Sequence, residues 1–149
     1  MRENKDIVLG YSRYKRQNSI LNLFIRWETF YNAMHYFSFA LLNKTYMGVG
    51  RNLAYRKSLF FKFKGFASHQ HILAGEDDLF VNETATPNNV AIVYSRDSFI
   101  ESQPKLSWGN FWKLKKRSFY TAKFYKANHR RLLSTFTLSH LFFYLFFYK

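Results

Sequence analysis

The sequence predicts an α/β domain, on three observations. Two short apolar runs, Ile7-Val8-Leu9-Gly10-Tyr11 and Val90-Ala91-Ile92-Val93-Tyr94, have the length and unbroken apolar character of strands buried in a sheet. Stretches free of Gly and Pro, with apolar residues at helical spacing, lie between and after them. The alternation of the two kinds is the pattern of helices packed on a sheet, with too few strands for a complete doubly wound one. The 149 residues leave room for one domain with a sizeable core. Cysteine is absent, which excludes disulfides, Cys-ligated zinc and a thiol nucleophile.

The elements follow in order. The first apolar run is an internal strand closed by Gly10 and leading into a basic loop over residues 12–18. Residues 21–42 form a long helix, and Arg26, Glu28, Asn32 and His35 mark it as a core or interfacial amphipathic helix and not a membrane span. Gly48 and Gly50 then precede an alternating stretch that ends at Lys57. Glycines there let the backbone turn tightly into a strand or approach a ligand, and Arg51 and Asn52 supply donors at the strand's mouth. Residues 58–64 are a short helix ended by Gly65, followed by a loop with Ser68, His69 and His71. An acidic cluster opens a helix over residues 77–84, Thr86-Pro87-Asn88-Asn89 turns the chain, and the second apolar run returns as a buried strand. Residues 111–133 are a basic, aromatic amphipathic helix broken once.

Charge narrows the class of partner. Lys and Arg number 23 against 9 acids, a net charge of +14, and 21% of residues are aromatic. That combination suits a nucleic acid, with bases stacked on rings, or an anionic bilayer, with aromatics in the interface. From Ser102 onward there is no acid, and the basic segment runs into an apolar tail over residues 132–148. A basic flank followed by an apolar run is the pattern of a membrane's cytoplasmic side. The 17 residues of the tail reach about 25 Å as a helix, short of the ~30 Å hydrocarbon core, so the expectation is an embedded or interfacial helix. The polar start, Met1 to Asp6, has no apolar core of a secretory signal.

One third of the carboxylates sit side by side in Gly75-Glu76-Asp77-Asp78. Adjacent acids raise one another's pKa, and such clusters serve to hold a metal, take a proton or bind hydroxyls. At a helix start they also complement the dipole, so capping is a further use of Glu76 and Asp77. His69 and His71 face one way in an extended segment near these acids, a partial zinc set without a fixed third ligand. Lys115-Lys116-Arg117 is a solvated basic face or a clamp on a diphosphate.

The ordered set Gly48-Val49-Gly50-Arg51-Asn52-Leu53-Ala54-Tyr55-Arg56-Lys57, Gly65-Phe66, Gly75-Glu76-Asp77-Asp78-Leu79-Phe80-Val81-Asn82 and the basic segment from Trp112 to Arg117 resembles family 2 glycosyltransferases. It is most similar to their membrane-associated, bacterial, cellulose-synthase-like branch, over residues 7–133. The resemblance implies an incomplete GT-A, Rossmann-like domain. Residues 1–104 would be the acceptor-side half of the catalytic domain, 105–131 a basic interfacial helix, and 132–149 a truncated C-terminal membrane or interfacial helix. It implies inverting transfer of a sugar from a nucleotide-sugar donor to a glycan or lipid-linked acceptor, at the cytoplasmic face of a bacterial inner membrane. Asp77 matches the family's catalytic base, Glu76 its partner, and Asp78 the nearest substitute. Glu76 and Asp78 would support acceptor hydroxyls, Arg51 and Asn52 would line the cleft, and Arg117 would approach the diphosphate. Of the family's Gln-x-x-Arg-Trp motif only Arg117 matches, with Leu114 and Ser118 at the other positions. The family's Asp-x-Asp motif, which holds Mg²⁺ or Mn²⁺ in a complete enzyme, occurs nowhere in the sequence. The implied chain is thus a fragment, inactive alone, whose N-terminal half is lost or separately encoded, and no nucleic-acid partner is expected. The alternative is a non-catalytic basic aromatic module on anionic membrane or nucleic acid.

Overall fold

Strand β1, Ile7–Gly10, is the centre of the molecule: its Ile7 and Leu9 are fully enclosed, and it is paired on both sides. On one side it runs antiparallel to β3, Leu53–Tyr55, with Ile7 opposite Tyr55; on the other it runs parallel to β4, Val90–Val93, with Ile7 opposite Val90. The computed structural model that shows this describes residues 5–72 and 75–147. The domain is mixed α/β, with two small sheets and five helices among the described residues.

The second sheet corrects the expectation of a plain loop over residues 12–18. After Tyr11 the chain continues as β2, Ser12–Tyr14, which pairs in parallel with β5, Ile100–Ser102. Only Tyr11 separates β1 from β2, while residues 94–99, with a 3₁₀ turn at Arg96–Ser98, separate β4 from β5. The ladder therefore forks. Asn52 closes the fork, its amide donating to the carbonyls of Tyr11 at 2.8 Å and Ser98 at 2.7 Å. Across β2 and β5, Arg13 stands opposite Glu101 and pairs with it at 3.2 Å. The second apolar run, expected to be buried, is an edge strand whose β4 residues are half-buried and whose Tyr94 is exposed, since among the described residues only β1 pairs with it.

Helix α1, Ile20–Leu41, begins where Ser19 caps the Asn22 N–H at 3.1 Å. Asn22 is itself buried, and its amide accepts from the Gln17 N–H and donates to the Lys15 carbonyl, which fastens the entry loop. One face of α1, with Leu21, Ile25, Ala33, Tyr36 and Phe39, is buried. The opposite face leaves Ile20, Leu23, Trp27, Phe30 and Met34 more than half exposed.

The short helix α2, Lys57–Lys62, and helix α3, Glu76–Thr84, pack into the same core as α1. Phe80 is fully buried, with ring centres of Tyr55, Phe60 and Phe66 at 4.7, 5.7 and 5.9 Å. Burying one such side chain stabilises by about 1.5–3 kcal/mol, and this cluster with Ile7, Leu9, Leu79 and Val81 is the main core.

The C-terminal third is two helices, α4, Trp108–Ala122, and α5, Ala127–Phe147. The break expected within residues 111–133 falls at 123–126, and its cause lies on α3. Buried Asn82 accepts from the Lys126 N–H at 2.8 Å and donates to the Tyr46 carbonyl at 2.7 Å, so one amide pins the start of α5 to the core. No break separates residues 131 and 132; α5 runs through both. Leu132, Leu133 and Phe136 dock on the core, with Phe136 4.4 Å from His35, and from Leu141 onward every described side chain is more than half exposed. Among the described residues no helix is long and apolar enough to cross a membrane.

Candidate functional site

A cleft of about 630 Å³ opens between the Gly50 turn, β3 and the start of α3, lined by Gly50, Arg51, Leu53, Ala54, Tyr55, Phe66, Glu76 and Asp77. Two glycines shape it. Gly75 precedes α3 with φ +85°, a left-handed conformation that side chains rarely adopt, and a Cβ there would lie 2.3 Å from the Thr121 side chain. The end of α4 therefore rests directly on the start of α3. Gly50 donates its N–H to Asp77 Oδ2 at 2.5 Å, and a Cβ on Gly50 would strike that same oxygen at 2.6 Å. The glycine-containing turn thus fixes the carboxylate, and Asp77 Oδ1 has no donor among the described residues.

The three neighbouring acids do not act as one group. Successive residues of a helix point about 100° apart, so a consecutive triplet cannot face one cleft. Glu76 is exposed and Asp77 half-buried in the cleft. Asp78 turns away from it and accepts a hydrogen bond from the buried Tyr125 hydroxyl. Burial pushes the Asp78 carboxyl well above the usual carboxylate range; the Asp77 charge adds to the push, the Tyr125 hydrogen bond opposes it, and Glu76 adds a little more. Burial likewise raises the Tyr125 hydroxyl, and the Asp78 charge is the next contribution.

The remaining sequence-expected residues divide. Arg51 lines the cleft and lays its guanidinium over the Tyr14 ring, 4.3 Å from the centroid. Asn52 does not line it: its amide is engaged by the two backbone carbonyls of the fork, so its part is to position the turn that carries Gly50 and Arg51. Arg117 is exposed on α4, one turn before Thr121, and makes no ion pair with the acids among the described residues. His69 pairs with Glu83 at 3.1 Å and meets Ser68, while His71 contacts the Phe124 ring, so the two histidines serve separate neighbours. Among the described residues no three His, Asp or Glu side chains converge as metal ligands.

Sequence reasoning missed Asn82 and Tyr125. Asn82 stands at the end of the Gly-Glu-Asp-Asp-Leu-Phe-Val-Asn motif, and its spacing of four from Asp78 places both on one helix face. Nothing local marks Tyr125 as a partner, because the contact spans the whole of α4. His129 also meets Asn82, at 2.9 Å, and burial holds its pKa below the ordinary value, followed by the Lys126 charge.

A second surface lies apart from the cleft. Phe24 and Phe111 form its floor, and around them stand Trp27, Trp108 and Trp112, all three tryptophans of the chain, each about half exposed. Near Trp108 and Trp112 in sequence are exposed Lys105, before α4, and Lys113 and Lys116, on it. Compared with protein-family models and with curated proteins, the chain matches neither a family nor a relative.

Proposed function

We propose that this chain is the acceptor-side part of an inverting, nucleotide-sugar-dependent glycosyltransferase working at a bacterial inner membrane, on its cytoplasmic face. The observation that carries the reading is Asp77: a carboxylate at a helix N-terminus, held through one oxygen by the Gly50 N–H and without a donor at the other among the described residues, in a cleft large enough for a sugar. An acceptor hydroxyl placed at Oδ1 would lose its proton to Asp77 as its oxygen bonds to the anomeric carbon. The bond from that carbon to the nucleoside diphosphate breaks on the opposite face, which inverts the centre. Glu76 supports the acceptor's other hydroxyls, and Asn52 positions the Gly50 turn. Arg117 is carried by a helix whose end touches Gly75, which suits an approach to the diphosphate. The nucleotide-binding half and its divalent cation would come from sequence that this chain does not contain.

The tryptophan surface supports the membrane part of the reading. Trp and Tyr rings with a basic surround fit the headgroup region of an anionic bilayer, and the exposed end of α5 adds an apolar segment. The test of the catalytic assignment is Asp77→Asn in a complete, reconstituted enzyme. Sugar transfer should fall about 10²-fold or more; an undiminished rate removes Asp77 from the mechanism.

A further inference from the structure

Among the described residues Arg51 has neither an ion-pair partner nor a hydrogen-bond acceptor. Its Nη1 is enclosed without a hydrogen-bond partner, no acid pairs with it among the described residues, and its guanidinium lies over the face of Tyr14. Other cations of this domain are differently placed: Arg56 reaches Asp6 at 3.2 Å and the Lys5 carbonyl at 3.0 Å, Arg13 reaches Glu101, and Lys115 reaches Glu28. A buried charged donor left unpaired costs more than a neutral one, which calls for a partner from outside the chain.

Arg51 does not stand alone. Arg26 on α1 is also half-buried and makes no ion pair or hydrogen bond among the described residues. Burial pushes the Tyr11 hydroxyl up, against the combined pull of Arg26, Arg13 and Arg51, so these guanidiniums act on one phenol. Of the three only Arg13 has an acid of its own. Arg51 remains half-exposed and lines the cleft that Glu76 and Asp77 also line.

We propose that Arg51 is the seat for an anionic group, a phosphate or a carboxylate, on the molecule that enters the Asp77 cleft. The planar fork of a guanidinium matches either group, and stacking on Tyr14 holds that plane while leaving its edge for a ligand. The placement favours the acceptor as the source. Arg51 directly follows Gly50, whose N–H holds Asp77, so a hydroxyl at Asp77 and an acidic group on the same sugar would be served by adjacent residues. The donor's diphosphate is the other source of the same chemistry. The proposal rests on reading the cleft as a substrate site, but its test needs no sugar transfer, so either can fail without the other.

The experiment titrates the full chain, in detergent, with glucuronate, glucose and pyrophosphate, followed by calorimetry and by the shift in melting temperature. Glucuronate should bind roughly tenfold or more tightly than glucose, and Arg51→Gln should remove that advantage. Arg51→Lys keeps the charge and loses the fork, and should weaken glucuronate severalfold; it carries the test if the Gln variant does not fold. Arg51 dependence seen with pyrophosphate and not glucuronate keeps the seat and assigns it to the donor. Glucose and glucuronate binding alike, with pyrophosphate indifferent to Arg51, overturns the proposal. So does an Arg51→Gln protein that melts lower with every affinity unchanged, since Arg51 would then only prop Tyr14.

Discussion

Phe80 and Trp27 belong to the same class of residue and are treated in opposite ways. Phe80 is 0% exposed and ringed by Tyr55, Phe60 and Phe66, whereas Trp27 is 58% exposed and stacks on Tyr31, itself 43% exposed. Around Phe80 the chain satisfies itself: apolar rings fill the space, and the polar side chains there, such as Asn82 and Thr84, are hydrogen-bonded. Around Trp27 the rings are only half covered, with cations beside them and no acid on α4. Aromatic content alone therefore does not distinguish a core from a surface built for a partner. The distinction lies in whether neighbouring elements close over the rings.

The strongest way to break this contrast is Phe80→Ala, which should cost about 3–5 kcal/mol, read from urea unfolding. A cost under about 1 kcal/mol would mean that the sheet side is not the core it resembles. Next is Gly50→Ala, which forces a Cβ onto Asp77 Oδ2. Roughly 1–3 kcal/mol of stability should be lost, and in a complete enzyme transfer should fall with Asp77 displaced.

Asp78→Asn probes the buried side through pH. The folded protein binds the Asp78 proton more tightly than the unfolded chain, so this contribution to stability is present at low pH and declines as pH rises above the ordinary aspartate value. The variant keeps an acceptor for Tyr125 and should lack that decline. The check is the difference between the two unfolding free energies, from urea titrations at pH 4 to 8, which should shift in the variant's favour as pH rises, by about 1 kcal/mol or more. Parallel curves would place Asp78 in water. The smallest stability effect belongs to the open side: Trp27→Ala and Trp112→Ala should each shift stability by no more than about 0.5 kcal/mol. Both should nevertheless weaken co-sedimentation with phosphatidylglycerol-containing vesicles, and unaltered binding would detach this surface from the bilayer.

The same contrast explains what could be seen in the sequence. The strands β1 and β4, the helices and the acidic start of α3 carry local signals: apolar runs, periodicity and a glycine before charge. The pair β2 and β5 carries none, because three-residue strands are fixed by a pairing between residues as far apart as Arg13 and Glu101. The cleft was legible as Gly50, Arg51 and Asp77 in one motif order. The separate fates of Asp77 and Asp78 follow from the 100° step of a helix, but Tyr125 as the partner of Asp78 required the path of α4. Asn52 shows the opposite limit, since its donors, expected to face a ligand, hold together a fork that depends on an insertion at residues 94–99.

The grouping of Trp27, Trp108 and Trp112 has an optical consequence. With every indole at one rim and none among the core side chains, the tryptophan emission of this protein, excited apart from its tyrosines, reports on that rim. Loss of the packing around Phe80 would leave the emission nearly silent, while contact with lipid would shift it to the blue. Fluorescence and far-ultraviolet circular dichroism should therefore trace different events in one sample, the first at the surface and the second in the fold.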